Sequence, residues 1–337
     1  MLALAPALLV AGCINYFVDP AHIFFSKNYV SELAGILSRG HNADNVTNYD
    51  ERLLQEQMVM HLARTPDIVA LGSSRIMQVG SQYFPGKTVL NCGVSHANIK
   101  DVIAIIGLLD SLHRLPREII LNTDVGLIGS EQTDEWKSLE PYYDHFMQAA
   151  GLPVSPRHFW QAGGTKQLKS IFSLEYLHAA MAFALKKKSA KYIDVDNRRP
   201  VLGGRFFDGS IAYDDAYMNG SEKQRAQFEL ETGRKDGVPA PDKQQQQLLL
   251  QVLDFLAKKN INVHFYLMPY HPALYTAVNQ YHNDQFKQYE NYFRQTAQKR
   301  NLPIRGSFDP AVYGIGDTMF YDMYHCSAQA IEKIILK

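Results

Sequence analysis

Cysteine is scarce. Only Cys13, Cys92 and Cys326 occur in 337 residues, too few for a disulfide framework or a Cys-rich zinc cluster. The chain has no HExxH pair, no CxxC pair and no glycine-rich phosphate loop, so no motif points to a metal or nucleotide cofactor. Net charge is also missing: 34 basic residues balance 34 acidic ones. The electrostatic footprint of a nucleic-acid binder is therefore absent, and no nucleic-acid partner is expected. No internal repeat is visible. What is plentiful is apolar: hydrophobic residues make up 46% of the chain, with 19 tyrosines and 17 phenylalanines. That composition excludes a disordered chain. Aromatics in such numbers fill a core first, and they also line carbohydrate or acyl grooves.

One apolar run stands apart. Met1 to Val18 (MLALAPALLVAGCINYFV) contains no charge. A membrane span needs about 20 apolar residues, and the run falls slightly short of that. It reads as a single N-terminal membrane anchor. Two other readings stay open: a lipoprotein signal ending in Val10-Ala11-Gly12-Cys13, although no basic region precedes it, and a buried helix of a soluble protein. Asp19-Pro20 ends the run, and Ala21 to Asn48 is a connecting stretch without strong periodicity.

From Tyr49 onward, strand and helix patterns alternate. Tyr49 to Arg64 is helical, with Asp50 as N-cap and Leu53, Leu54, Met58 and Leu62 at near-helical spacing. Asp67 to Leu71 is a strand, apolar at successive positions as a strand covered on both faces must be. A short strand at Thr88–Asn91, an amphipathic helix at Asn98–Leu112 and a strand at Glu118–Asn122 follow. The pattern then stops. Glu131 to Asp242 reads as an insertion or cap, with helical pieces near Tyr142–Ala150 and Leu174–Lys187 and a polar, Gly-rich run from Asp194 to Gly237. Lys186-Lys187-Lys188 in it reads as a solvated helix end, or else as a contact for anionic lipid or polymer. The alternation resumes with a helix at Lys243–Lys259, a strand at Ile261–Met268, a helix at Gln285–Arg300, a short strand at Leu302–Ile304 and a helix at Ala328–Leu336. Strand–helix alternation of this kind predicts a doubly wound parallel sheet of about five strands.

In such a sheet, ligands meet the chain at the carboxyl ends of the strands. The first strand ends in Gly72-Ser73-Ser74-Arg75, the second in Asn91-Cys92-Gly93, the third in Asn122-Thr123-Asp124. A serine at a strand end becomes a nucleophile only if a base takes its proton and a carboxylate orients that base. Asp322 and His325, three residues apart near the C-terminus, can supply both. Backbone N–H groups of Ser74 and Gly93, with a polar side chain from the third strand end, are candidate oxyanion donors. Arg75 reads as the partner of an acidic neighbour, or else as a ligand for an anionic substrate group. His271, after the fourth strand, reads as a structural hydrogen-bonding residue, or else as one facing the site. Cys92 and Cys326 adjoin Gly93 and His325 in sequence, and either a disulfide or two buried thiols fits them.

Gly72-Ser73-Ser74, Asn91-x-Gly93 and Asp322-x-x-His325 together resemble the SGNH/GDSL hydrolase superfamily. An N-terminal anchor, an early Asp-Pro, Leu-Gly-Ser-Ser-Arg and a long insert are similar to its membrane-anchored branch in bacterial envelopes. That branch includes D-alanyl-lipoteichoic acid biosynthesis and alginate O-acetylation proteins. The resemblance covers residues 50–130 and 243–337, not the insert. It implies a flavodoxin-like three-layer α/β/α sandwich, with Ser74 as nucleophile, His325 as base, Asp322 as its orienting carboxylate and Gly93 as an oxyanion donor. It also implies an esterase or O-acyltransferase held at the cell membrane with its domain outside the cytoplasm. The partners it implies are an acyl donor, a glycopolymer acceptor, membrane lipid and a membrane-bound O-acyltransferase. Two positions depart from the family pattern. Ser73 replaces the usual Asp of the first block, and Asp124 stands where the third block usually has an oxyanion-binding Asn, with Asn122 two residues earlier.

Overall fold

The computed structural model describes residues 4–19, 26–154, 192–219 and 237–335, with scattered positions between 171 and 181. In chain order the elements are α1 (Leu4–Val18), α2 (Ser26–Ser38), β1 (Asn42–Asp44), α3 (Glu51–Met60), β2 (Ile68–Leu71), β3 (Val89–Asn91), α4 (Ile99–Ser111), β4 (Glu118–Asn122), α5 (Val125–Ile128) and α6 (Glu140–Ala149). They continue as β5 (Ile193–Asp196), β6 (Gly204–Arg205), β7 (Ile211–Ala212), α7 (Asp215–Asn219), α8 (Lys243–Lys258), β8 (Asn262–Leu267), α9 (Pro272–Tyr281), α10 (Gln285–Arg300), β9 (Ile304–Gly306) and α11 (Ala328–Ile335).

The main sheet has five parallel strands in the order β3-β2-β4-β8-β9. Counted among themselves, these strands run 2-1-3-4-5, a doubly wound order whose ligand crevice opens between the first and third strands. Those strands are β2 and β4, and their register pairs Ile68 with Glu118 and Leu71 with Leu121, so both end level. Alternate side chains divide between two cores. Val69, Leu71, Ile119, Leu121, Val263 and Phe265 face a large cluster built with α3, α4, α8 and α10. Ile68, Ala70, Ile120 and Tyr266 face a smaller one closed by Ile331, Ile334 and Ile335 of α11. Each such aliphatic side chain contributes about 1.5–3 kcal/mol on burial, which explains why β2 is apolar at all four positions and β4 at its three central ones. α11 follows directly on the segment carrying His325, so its packing also fixes that segment.

The expected elements recur with small shifts. Asp50 caps α3, its carboxylate accepting from the N–H groups of Arg52 and Leu53. Asn98 and Asp101 close a reciprocal capping box on α4. The insert differs from expectation. Its strands β5, β6 and β7 join β1 in a four-stranded sheet ordered β5-β1-β6-β7, whose pairings are antiparallel. Residues 42–44 are thus part of the insert's own architecture rather than a connector. Buried Asp44 ties them in, accepting from the N–H groups of Asn45 (2.8 Å), Val201 (3.0 Å) and Leu202 (2.8 Å). The β6–β7 turn lies along the outer edge of β3, where Asn91 N–H donates to the Asp208 carbonyl at 2.8 Å. Gly209 in that turn has φ +82°, and a Cβ there would meet the Asn91 carbonyl oxygen at 2.6 Å. The Lys186–Lys188 cluster and most of the expected helix at Leu174–Lys187 lie outside the described residues.

No helix among the described residues is long and apolar enough to cross a membrane. The run expected to span appears as α1, 15 residues long, or about 22 Å. It ends before Asp19, whose φ of +39° breaks the helix. Leu9, Val10 and Phe17 on it are exposed, while Asn15 is buried and donates to the carbonyls of Ile171 (2.8 Å) and Ser173 (3.1 Å).

Candidate active site

The site begins at the carboxyl end of β2. Gly72 has φ +141°, and a Cβ on it would lie 2.6 Å from Asn122 Cβ, so only glycine lets the β2 exit pass this close to β4. Ser73 then caps a 3₁₀ turn over Ser74–Ile76. Ser74 opens that turn, so its N–H has no partner inside it.

Ser74 Oγ lies 2.8 Å from His325 Nε2, and His325 Nδ1 lies 2.8 Å from Asp322 Oδ2. The three-residue spacing of the acid and the base has a backbone cause. Asp322 Oδ1 accepts the N–H groups of Tyr324 (2.7 Å) and His325 (2.6 Å), which folds the segment into a turn. The second carboxylate oxygen is thereby aimed at the imidazole of the residue that closes the turn. Burial alone would raise the Asp322 carboxyl. Hydrogen bonds from His325, Tyr217 and Tyr324, with the His325 charge, hold it instead well below the usual carboxylate range. An ionised carboxylate only accepts, so Nδ1 carries the proton and the Nε2 lone pair faces the serine hydroxyl. This arrangement can take a proton from Ser74 as its Oγ attacks a carbonyl carbon.

The remaining sequence candidates serve the frame. The Gly93 N–H donates to Asn91 Oδ1 at 2.8 Å, so it does not face Ser74 as an oxyanion donor. The Asn122 amide nitrogen donates to the Tyr266 carbonyl at 3.2 Å, and its Oδ1 lies 3.2 Å from Ser73 Oγ. Asp124 caps α5 through the Leu127 N–H and bonds Ser73 Oγ through its other oxygen. Burial pushes the Asp124 carboxyl up, and the Arg75 charge and hydrogen bonds from Ser73, Leu127 and Gly126 oppose this only in part. Ser73, Asn122 and Asp124 thus form one hydrogen-bonded cluster at the strand ends. Ser73 Oγ donates to Asp124 Oδ2 and lies 3.2 Å from Asn122 Oδ1.

Arg75 is buried. Its guanidinium stacks over the Tyr270 ring at 3.6 Å and donates to the Met268 carbonyl. It ties the β2 exit to the β8 exit. His271 accepts the Ala273 N–H at 3.2 Å as the N-cap of α9, a structural role as expected, and burial lowers its pKa. Cys92 and Cys326 are both free and buried, and burial pushes the Cys326 thiol up to about 11. Among the described residues no group of three or more His, Cys, Asp or Glu side chains is placed to hold a metal ion.

One participant escapes sequence reading. The insert contributes Tyr217, on α7, whose hydroxyl donates to Asp322 Oδ2 at 2.5 Å and lies 3.2 Å from His325 Nδ1. Tyr213 sets its ring 5.8 Å from that of His325. The only available signal is the four-residue spacing of Tyr213 and Tyr217, and nothing in it points to Asp322. No protein-family model matches the sequence, and no curated protein matches it.

Proposed function

We propose that this protein is a serine esterase or O-acyltransferase of the SGNH type, acting on an ester-bearing envelope glycopolymer. The observation that carries the reading is the unbroken contact chain Ser74–His325–Asp322, 2.8 Å at each link, closed between side chains 251 positions apart. Its position at the β2/β4 crevice agrees with where doubly wound sheets hold ligands. Ser74 Oγ attacks the acyl carbonyl carbon while His325 Nε2 takes its proton. The tetrahedral oxyanion forms beside the Ser74 N–H. Collapse expels the alcohol, which takes the proton from His325, and leaves an acyl ester on Ser74. Water or a sugar hydroxyl, deprotonated by His325, then attacks that ester and frees the enzyme. The chemistry asks for no cofactor.

Transfer to a polymer and attachment to a membrane rest on the family resemblance. In that reading the exposed apolar residues of α1 meet lipid. A membrane-bound O-acyltransferase supplies the acyl donor, and the domain works outside the cytoplasm. The test is hydrolysis of p-nitrophenyl acetate by the full chain. Ser74→Ala and His325→Ala each lower kcat by roughly 10³-fold or more, and equal rates in wild type and Ser74→Ala overturn the reading.

A second reading has its own observation. The Gly93 N–H and the Asn122 amide, the two anticipated oxyanion donors beyond Ser74, are both turned to structural partners. A catalytically silent domain that holds polymer within a modification or export complex is compatible with that. In cells, a Ser74→Ala chain then supports full polymer modification while deletion of the gene abolishes it.

A further inference from the structure

Asp322 Oδ2, the oxygen that takes the His325 Nδ1–H at 2.8 Å, also takes the Tyr217 hydroxyl at 2.5 Å. Two donors draw on the same lone-pair density, so each weakens the hold of the carboxylate on the other. Asp322 Oδ1 is engaged by two backbone N–H groups, so the carboxylate is pinned at both oxygens. We infer that Tyr217 is a positioning residue of the site, locking the Asp322 carboxylate and moderating the basicity it confers on His325. This rests on the reading of Ser74, His325 and Asp322 as a hydrolytic triad.

The phenol is held in place independently of the triad. Its own N–H donates to Asp214 Oδ1 at 2.6 Å, and its ring packs on those of Tyr213 (4.8 Å between centroids) and Tyr321 (5.8 Å). α7 continues from β7, so the small antiparallel sheet delivers Tyr217 to the triad. The hydroxyl favours the carboxylate over the imidazole, 2.5 against 3.2 Å. Donation to Nδ1 instead would put the imidazole proton on Nε2, the wrong tautomer for accepting from Ser74. The other ionisable groups facing the pair are Tyr213, Tyr321, His271 and Cys326. None of these donates to the Asp322 carboxylate among the described residues.

The test uses the full chain, Tyr217→Phe, and a second variant carrying 3,5-difluorotyrosine at position 217, a stronger donor. Loss of the hydroxyl leaves Oδ2 to His325 alone, so the imidazolium is better stabilised. In Tyr217→Phe the low-field proton resonance of His325 Nδ1–H therefore moves further downfield. The acidic limb of kcat/KM against pH, read with p-nitrophenyl acetate, moves to higher pH by roughly half to one unit. Difluorotyrosine moves both the other way and guards against a Phe variant that folds poorly. No movement in either variant, or movement of the Tyr217→Phe limb to lower pH, overturns the inference. The proton resonance needs no turnover. An inert Ser74 with a shifted resonance would sink the hydrolase reading and leave this one standing.

Discussion

Asp322 and Asp124 are both buried carboxyls in loops, yet their surroundings drive them in opposite directions. Asp322 receives donors on both oxygens and is held below its ordinary value of 3.8, so the stability it contributes is present above that pH and is lost as pH falls below it. Asp322→Asn replaces an acceptor of the Nδ1 proton with an amide that can donate, and so favours the wrong imidazole tautomer. The expected loss in kcat is about 10⁴-fold with KM little changed, measured with a small acetyl ester. Asp124 is raised above 3.8. Its protonated form favours the folded state, so its contribution is complete below that pH and is lost as pH rises through the higher folded value. Asp124→Asn keeps a side-chain oxygen for the α5 cap and an amide donor for Ser73 Oγ. Urea unfolding over a series of pH values from 3.8 upward should show wild type losing stability as pH rises through the folded value, with the variant flatter. Wild type and variant changing in parallel would show that Asp124 does not carry this pH dependence.

At the scale of elements, legibility in the sequence follows burial. β2 and the centre of β4 are apolar because both faces are covered, β8 alternates through Val263, Phe265 and Leu267, and α4, α8 and α10 each bury one helical stripe. Those signals are strong and their bounds shift by only a residue or two. α9 is hidden by its start, where Pro-Tyr-His-Pro reads as a loop after β8. Pro272 in fact occupies the first helical position, where its missing N–H costs nothing. The small sheet is hidden for another reason. Its strands run two to four residues, and Asn42, Asp44, Asp194 and Asp196 give no apolar alternation. Side-chain-to-backbone bonds at Asp44 hold it together instead. Asp44→Ala removes an acceptor from three backbone N–H groups and should cost about 2–3 kcal/mol. Hydrogen exchange should quicken across residues 193–212 and stay slow in β2 and β4. Uniform quickening, or none, would show that the small sheet is not held this way.

The whole molecule brings together residues that sequence distance keeps apart. Serine, histidine and aspartate were readable because each sits at a patterned boundary, two of them next to elements with clear periodicity. The oxyanion side of the site was not readable, since whether Gly93 or Asn122 faces Ser74 depends on which neighbour takes each donor first. Tyr217 was not readable because its partner lies 105 positions away, across a region without pattern. The insert is therefore part of the site as well as a neighbour of it, joined to β3 on one side and to Asp322 on the other. Whether Ser74 is a nucleophile activated by His325 remains the claim on which everything else turns. Treating the full chain with a fluorophosphonate and mapping the adduct by peptide mass addresses it most directly. The account predicts a single adduct on Ser74, lost in Ser74→Ala and strongly slowed in His325→Ala. An adduct on another residue, or none while His325 and Ser74 are both intact, would contradict it.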